Sequence, residues 1–353
     1  MDDHSNVFTP MSVRSRRAKF CLQDFVSAAR RGAFVLGLAA AFCLGSADKV
    51  NAQKVYTIGS LNTADQFVDA FEGFKNRMAE LGYKQGRNVR YDYHNSKGDA
   101  DVLKKAAQKL VDDKVDLIVT TSTTATVVGA KATAGTRIPV VFLSAGNPLK
   151  LVKSYASSGN NLTGITSSIL DLTEKRLELF KKLAPGVKRV IFINNPKAAN
   201  YEDYMTSTRE AAKRMGVTLA EVEIQAINAE EVKKQLSLLT RKLGEGLLIP
   251  PDATLVGATE HVAQQAIKEK LPTVGPNVQT VRRGFLVAYS SDYYSLGQQG
   301  AGLVDKILRG ARPMDLPIEQ PDKLQLFINL KTAKAIGLKI PKEILLRVDE
   351  VIE

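Results

Sequence analysis

The run Thr121-Ser122-Thr123-Thr124 places four hydroxyls between an apolar segment, Asp116-Leu117-Ile118-Val119-Thr120, and a stretch of small residues at 125–133. A strand that leaves through hydroxyls into a helix aims free N–H groups and the positive end of the helix dipole at one spot. Such a spot suits an anion, for example a carboxylate. The same groups also make an ordinary N-cap, and the sequence leaves both uses open. Two aspartates occupy comparable places further along. Asp252 closes Pro250-Pro251-Asp252 and Asp292 closes Ser290-Ser291-Asp292, each after an apolar run. Paired carboxylates can act as acid and base. With no histidine or metal motif beside them, these two suit an ammonium group or a helix cap.

Motifs for bond chemistry are missing. No GxGxxG follows a strand, since Gly300-Ala301-Gly302 falls inside a helical pattern, and GxxxxGK[ST], HExxH and GxSxG are absent. The histidines are His4, His94 and His261, none with a second ligand at metal spacing. Both cysteines, Cys21 and Cys43, lie in the first 53 residues, so the remainder offers no thiol and no disulfide. Neither cofactor nor metal is expected.

The elements that position these loops repeat one plan. Lys54-Val55-Tyr56-Thr57-Ile58-Gly59-Ser60-Leu61 reads as a buried strand that breaks into Asn62-Thr63. Phe67, Phe71, Phe74, Met78 and Leu81 then mark one face of a helix, and Gly82 ends it. Residues 88–95 alternate through Val89, Tyr91 and Tyr93 as a strand near a sheet edge. Asp99 is placed to cap a helix carrying Val102, Ala106 and Leu110. Pro139-Val140-Val141-Phe142-Leu143 is the next strand, with exit loop Ser144-Ala145-Gly146-Asn147-Pro148. The polar stretch at 157–166 reads as the first crossing between two lobes. Asp171 with Glu174 forms a capping box for the following helix.

Strand–helix alternation then restarts. Strands at 189–193, 217–224, 246–249, 271–274 and 285–289 leave through Asn194-Asn195-Pro196, Pro250-Pro251-Asp252, Gly275-Pro276-Asn277 and Ser290-Ser291-Asp292. Asn228 with Glu231 caps a helix striped by Val232, Leu236, Leu239 and Leu243. The reading is α/β: two doubly wound parallel-sheet lobes joined by a hinge. Residues 54–165 form the first lobe, with part of 293–353 returning to it. Residues 166–290 form the second, and 291–353 a crossing helix with a C-terminal segment.

Size and composition agree with this. The chain has 353 residues, 44% hydrophobic and 24% charged, enough for two cores. The first 53 residues hold seven basic and four acidic side chains, net +3, which leaves +9 of the total +12. That charge is spread along helices, as at Lys104-Lys105 and Lys233-Lys234, without interleaved aromatics, so nucleic-acid binding is not expected. Residues 33–45 are apolar throughout and follow Arg30-Arg31, which is the form of a signal-peptide core and is short of the ~20 residues of a membrane span. Val50-Asn51-Ala52 offers a cleavage site, with Ser46-Ala47 a second. Residues 1–52 are therefore expected to be a leader, with the body in the periplasm.

The C-terminal run carries a resemblance. Val304-Asp305-Lys306-Ile307-Leu308-Arg309-Gly310-Ala311-Arg312-Pro313, then Asp315-Leu316-Pro317-Ile318-Glu319-Gln320-Pro321 and Phe327-Ile328-Asn329-Leu330-Lys331, is similar to the tryptophan/tyrosine-type ABC substrate-binding family. Asn161-Leu162-Thr163-Gly164 adds support, and the likeness spans 54–353. It implies the type I periplasmic-binding fold: a monomeric clamp that shuts on a small molecule and docks on an ABC permease driven by its ATPase. The membrane is then met only through the permease.

The resemblance also implies ligand contacts on the loops already marked: Asn62, Thr63, Thr121, Ser122, Thr123, Thr124, Ser144, Asn147, Asn195, Asp252, Ser290 and Asp292. Tyr201, Tyr289 and Tyr293 are candidates to flank an aromatic ring, since the chain has no tryptophan. Asn147-Pro148 departs from the family's usual Asp-Pro, and Gly275-Pro276-Asn277-Val278 departs from its usual run. A ligand-binding sensor and an exported hydrolase remain the alternative functions.

Overall fold

The computed structural model describes residues 54–168, 172–198, 200–224 and 235–353. The expected leader with Cys21, Cys43 and His4, the cap residue Asp171, and the Asn228–Glu231–Val232 helix start lie outside the described residues.

The first sheet is built from β1 (Tyr56–Asn62), β2 (Val89–Asn95), β3 (Leu117–Thr121), β4 (Val140–Ala145), β5 (Leu162–Thr166) and, much later, β11 (Ile318–Glu319). Its order is β2-β1-β3-β4-β5-β11 and every pairing is parallel. Parallel strands need crossover connections. Here these are α1 (Val68–Glu80), α2 (Ala100–Asp112) and α3 (Thr123–Ala132). The second sheet uses β6 (Arg189–Asn194), β7 (Thr218–Glu223), β8 (Gly246–Leu248), β9 (Thr273–Gly275), β10 (Val287–Ser290), β12 (Gln325–Asn329) and β13 (Glu350–Ile352). Its order is β7-β6-β8-β9-β10-β12-β13, parallel except where β12 runs against β10. Around it lie α4 (Leu172–Leu183), α5 (Tyr201–Met215), α6 (Ala253–Gly257), α7 (Thr259–Lys268), α8 (Val278–Arg282), α10 (Leu330–Ile336) and α11 (Lys342–Leu345).

The architecture is thus α/β with two lobes. In each sheet the strand that opens the lobe, β1 or β6, has its successor on one side and the third strand on the other. The chain order reverses there, so the following loops part and leave a crevice beyond the carboxyl ends.

The cores follow from apolar runs in the central strands. Leu117, Ile118 and Val119 of β3 and Val140, Val141 and Phe142 of β4 are fully buried, as two-sided parallel strands require. On α1, Phe71, Phe74 and Met78 face inward; burying each such side chain contributes roughly 1.5–3 kcal/mol before ordering costs. Asp99 caps α2, accepting from the N–H groups of Asp101 and Val102.

The connection between lobes is made partly by α9 (Tyr293–Leu308). It leaves β10 of the second sheet and buries Leu296, Leu303 and Val304 in the first core. α9 and α1 meet through glycines. A Cβ on Gly73 would sit 2.0 Å from the carbonyl oxygen of Tyr294, and one on Gly297 would sit 1.9 Å from that of Ala70. Only hydrogen fits at either place. After β11 joins β5, the chain returns to the second sheet as β12.

Three local expectations change. Val102 is 47% exposed, and the buried face of α2 is Leu103, Ala106, Ala107 and Leu110. Ala106 and Leu110 face inward as expected, and Leu103 takes the place of Val102 because two apolar stripes overlap there. Leu162–Thr166, within the stretch read as the first crossing, is the buried strand β5, so the crossing follows Thr166. Its hydroxyls and glycine obscured a strand whose Gly164 lies against the carbonyl of Phe142. The hydroxyl loop is also shorter than expected: Thr121 ends β3, Ser122 is the cap, and α3 starts at Thr123.

Candidate functional site

A cleft of about 570 Å³, including the part open to solvent, lies where the carboxyl ends of the two sheets face each other. From the first lobe Thr63, Phe67, Ser122, Thr123, Thr124, Ser144 and Gly146 line it. Across from them stand Asn200, Tyr204, Pro251 and Asp252 of the second lobe, with Tyr293 at the start of α9.

The first-lobe wall is held by its own hydrogen bonds. The fully buried Asn62 accepts the Thr121 hydroxyl and donates to Ser60 Oγ at 3.1 Å. Thr63 Oγ1 donates to Ser122 Oγ at 3.0 Å, and Ser122 Oγ accepts from the Ala125 amide at 3.2 Å as the cap of α3. Thr123 Oγ1 accepts from the Gly146 amide at 2.8 Å, which ties the exit of β4 to the start of α3. Ser122 adopts φ 88° and ψ 154°, a region that residues with a Cβ rarely enter. The strain places its hydroxyl between Thr63 and the first turn of α3. That turn presents backbone N–H groups and the helix dipole to the cleft, an anion-favouring surface.

The second-lobe wall is different. Asp252 accepts from the Leu255 amide at 2.9 Å, and Asn195 Nδ2 stands 3.4 Å from both its oxygens. Behind it Arg176 of α4 is buried. Its Nε donates to the Tyr289 carbonyl and its Nη2 to the Pro276 carbonyl, both at 3.0 Å. Burial pulls the guanidinium down to about 10, so it is still charged at neutral pH. Tyr204 and Tyr293 flank it, and burial pushes both phenols up, so both are neutral. Tyr293 also meets Phe67 edge to face, with centroids 5.2 Å apart, and both rings belong to the first core.

The lobes touch outside the cleft. Asp203 on α5 accepts from Asn147 Nδ2 at 3.2 Å and pairs with Lys150 Nζ at 2.7 Å. On another edge Gln279 Nε2 donates to Asp69 at 3.1 Å.

Of the residues expected from sequence, Thr63, Ser122, Thr123, Thr124, Ser144 and Asp252 line the cleft. Asn62 and Thr121 lie one layer beneath, and Asn195 stands behind Asp252. Ser290 is buried at the end of β10. Four stand elsewhere. Asp292 caps α9, accepting from the Ser295 amide at 2.9 Å and hydroxyl at 2.8 Å. Asn147 faces Asp203. Tyr201 reaches Glu223 at 3.4 Å. Tyr289 lines a separate outer hollow with Lys175, Leu326 and Ile344. Sequence reasoning missed Arg176, which sits in a helix among lysines, and Tyr204; Phe67 read as a core position. The signal for Tyr289 was available: strand alternation puts it on the face of Val287, where it packs against the second core at the edge of that hollow.

Among the described residues no three acidic, histidine or cysteine side chains gather as metal ligands, and no helix is long and apolar enough to cross a membrane.

Residues 60–352 match the family described as ABC transporter substrate binding protein. A tyrosine-binding protein of Clostridioides difficile is 30% identical over 289 residues, covering 81% of this chain and 82% of that one. The solved ABC domain from Streptococcus pneumonia in complex with L-Trp is 25% identical, covers 85% of this chain and 100% of its own, and superposes with a TM-score of 0.77. A ligand-free, open substrate-binding protein with adhesive properties from Clostridium difficile is 26% identical, covers 85% and 99%, and gives 0.67. The backbone described here is therefore nearer to the tryptophan-bound structure than to the open one.

Proposed function

Because the chain belongs to the family of ABC transporter substrate-binding proteins, we propose that it is the extracytoplasmic solute-binding component of an importer and that its solute is an aromatic amino acid or a related aromatic carboxylate. The observation that carries this reading is the cleft itself. A strained, hydroxyl-lined helix start on one lobe faces a carboxylate, Asp252, on the other, with Phe67, Tyr204 and Tyr293 between them.

The chemistry is that of recognition. The ligand carboxylate lies at the first turn of α3, held by Ser122, Thr123 and Thr124. Its ammonium lies at Asp252, and its ring packs among the three aromatic side chains. Contacts to both walls exist together only when the lobes are shut, so the ligand shifts the hinge equilibrium toward the shut form. That form presents a joined surface of both lobes to a permease, and no bond is made or broken. The tyrosine-binding relative and the tryptophan-bound neighbour support the aromatic class of ligand.

Isothermal titration of ligand-stripped protein with L-tyrosine, L-tryptophan, L-phenylalanine and aromatic acids tests this. Saturable binding of at least one aromatic amino acid is expected. Silence across the panel overturns the reading.

A further inference from the structure

Three stretches of chain connect the lobes: the segment after Thr166 that leads to α4, the exit of β10 into α9, and the return from β11 to β12. They are far apart in sequence. Two polar side chains bring them together.

The first is Arg176. It lies on α4, just after the first crossing, and is 2% exposed. Its Nε donates to the carbonyl of Tyr289 at 3.0 Å, four residues before α9 begins at Tyr293. Its Nη2 donates to the carbonyl of Pro276 at 3.0 Å, ahead of α8, whose Gln279 reaches Asp69 of the first lobe. A guanidinium carries its five N–H donors in a rigid fork, so one side chain spans two exits. Desolvating that charge is costly, and the carbonyls it grips offset the cost.

The second is Gln299, nearly two turns into α9. Its Nε2 donates to the Glu319 carboxylate at 3.0 Å and to the Gln320 carbonyl at 2.9 Å, and its Oε1 accepts from the Asp322 amide at 3.2 Å. These partners flank Pro321, which has no N–H of its own, where the third crossing begins.

Resting on the clamp reading above, we propose that Arg176 and Gln299 are positioning residues of the hinge. Arg176 ties the first crossing to the second and Gln299 ties the second to the third, so that all three move as one body when the lobes shut. Neither side chain lines the cleft. Tied crossings leave the ligand-free protein fewer hinge conformations, so closure has less to order. Once they are untied, the same ligand contacts are reached from a wider ensemble and affinity falls.

Small-angle scattering, calorimetry and thermal unfolding of Arg176→Lys and Gln299→Ala test this. Lysine keeps the charge, but its compact ammonium lacks the fork that spans both carbonyls. Gln299 is only half-buried, so the second variant leaves the core intact. Each ligand-free variant should show a larger radius of gyration and a broader distance distribution than the unaltered protein, Arg176→Lys the more so. L-tryptophan and L-tyrosine should bind about tenfold more weakly to Arg176→Lys and a few-fold more weakly to Gln299→Ala. A lower unfolding midpoint with unchanged ligand-free profile and unchanged affinity means that the pair only stabilises the fold, and overturns the proposal. Should Arg176→Lys not fold, Gln299→Ala decides by the same outcomes. If neither amino acid binds the unaltered protein, the aromatic reading falls while the ligand-free profiles still decide the hinge: superimposable profiles overturn it. An unaltered protein that binds L-tryptophan with no change of profile overturns the clamp and this proposal together.

Discussion

The two walls of the cleft differ in how complete they are. On the first lobe a linked set of hydroxyls already has partners: Thr63 with Ser122, Thr121 with Asn62, Thr123 with Gly146, Thr120 with Thr126. On the second, Asn194 and Ser290 keep buried polar atoms unpaired. A wall whose groups hold one another is ready before the ligand arrives, and ordering it again costs little. A wall with unpaired buried groups is less complete on its own. The first lobe is thus suited to catch the ligand, and the second to close on it.

The contrast can be broken by substitution on either side. Asp252→Asn is the largest expected effect. The amide keeps an oxygen for the Leu255 N–H but removes the charge that meets the ligand ammonium, so affinity for an aromatic amino acid should fall on the order of a hundredfold. Calorimetry should also register little loss for an aromatic acid that has no ammonium. On the opposite wall, Ser122→Ala should weaken binding about tenfold and lower stability by about 1 kcal/mol, because the cap is lost. Ser122→Gly suits the backbone at φ 88° and should weaken binding with only a few tenths of a kcal/mol of stability lost. Equal stability losses in the two variants would mean that the strain at Ser122 is not real.

The rim outside the walls should matter least. Asp203→Ala removes the partner of Asn147 and Lys150 across the lobes. Lys150 is 54% exposed, so the pair is screened and contributes no more than about 1 kcal/mol to the shut form. Affinity should drop a few-fold at low salt, with the difference fading at high salt. The same contact gives Asn147 a physical role. A second aspartate at that position would face Asp203 and repel it, so the asparagine-proline pair in place of aspartate-proline favours contact between the lobes.

Much of this arrangement was legible in the residues. Alternating apolar runs and helical stripes marked the two lobes, and Thr121-Ser122-Thr123-Thr124 marked a helix start that serves as cap and as cleft wall with the same groups. Asp252 was found by the same rule. Asp292, at an equivalent place, turned out to cap α9, since an aspartate before a helix serves either purpose with the same atoms. The second wall was harder to read. Arg176 projects from a helix formed far from the cleft in sequence, and only the fold brings it under the exits of β9 and β10. Tyr289 and Tyr201 were set aside by geometry: alternation turns one away from the cleft, and the start of α5 turns the other toward Glu223.

Small-angle scattering on ligand-stripped protein, before and after saturation with an aromatic amino acid whose binding calorimetry has established, tests the closing clamp most directly. The account predicts a smaller radius of gyration and a narrower distance distribution in the saturated sample. Superimposable profiles with that ligand bound would contradict it.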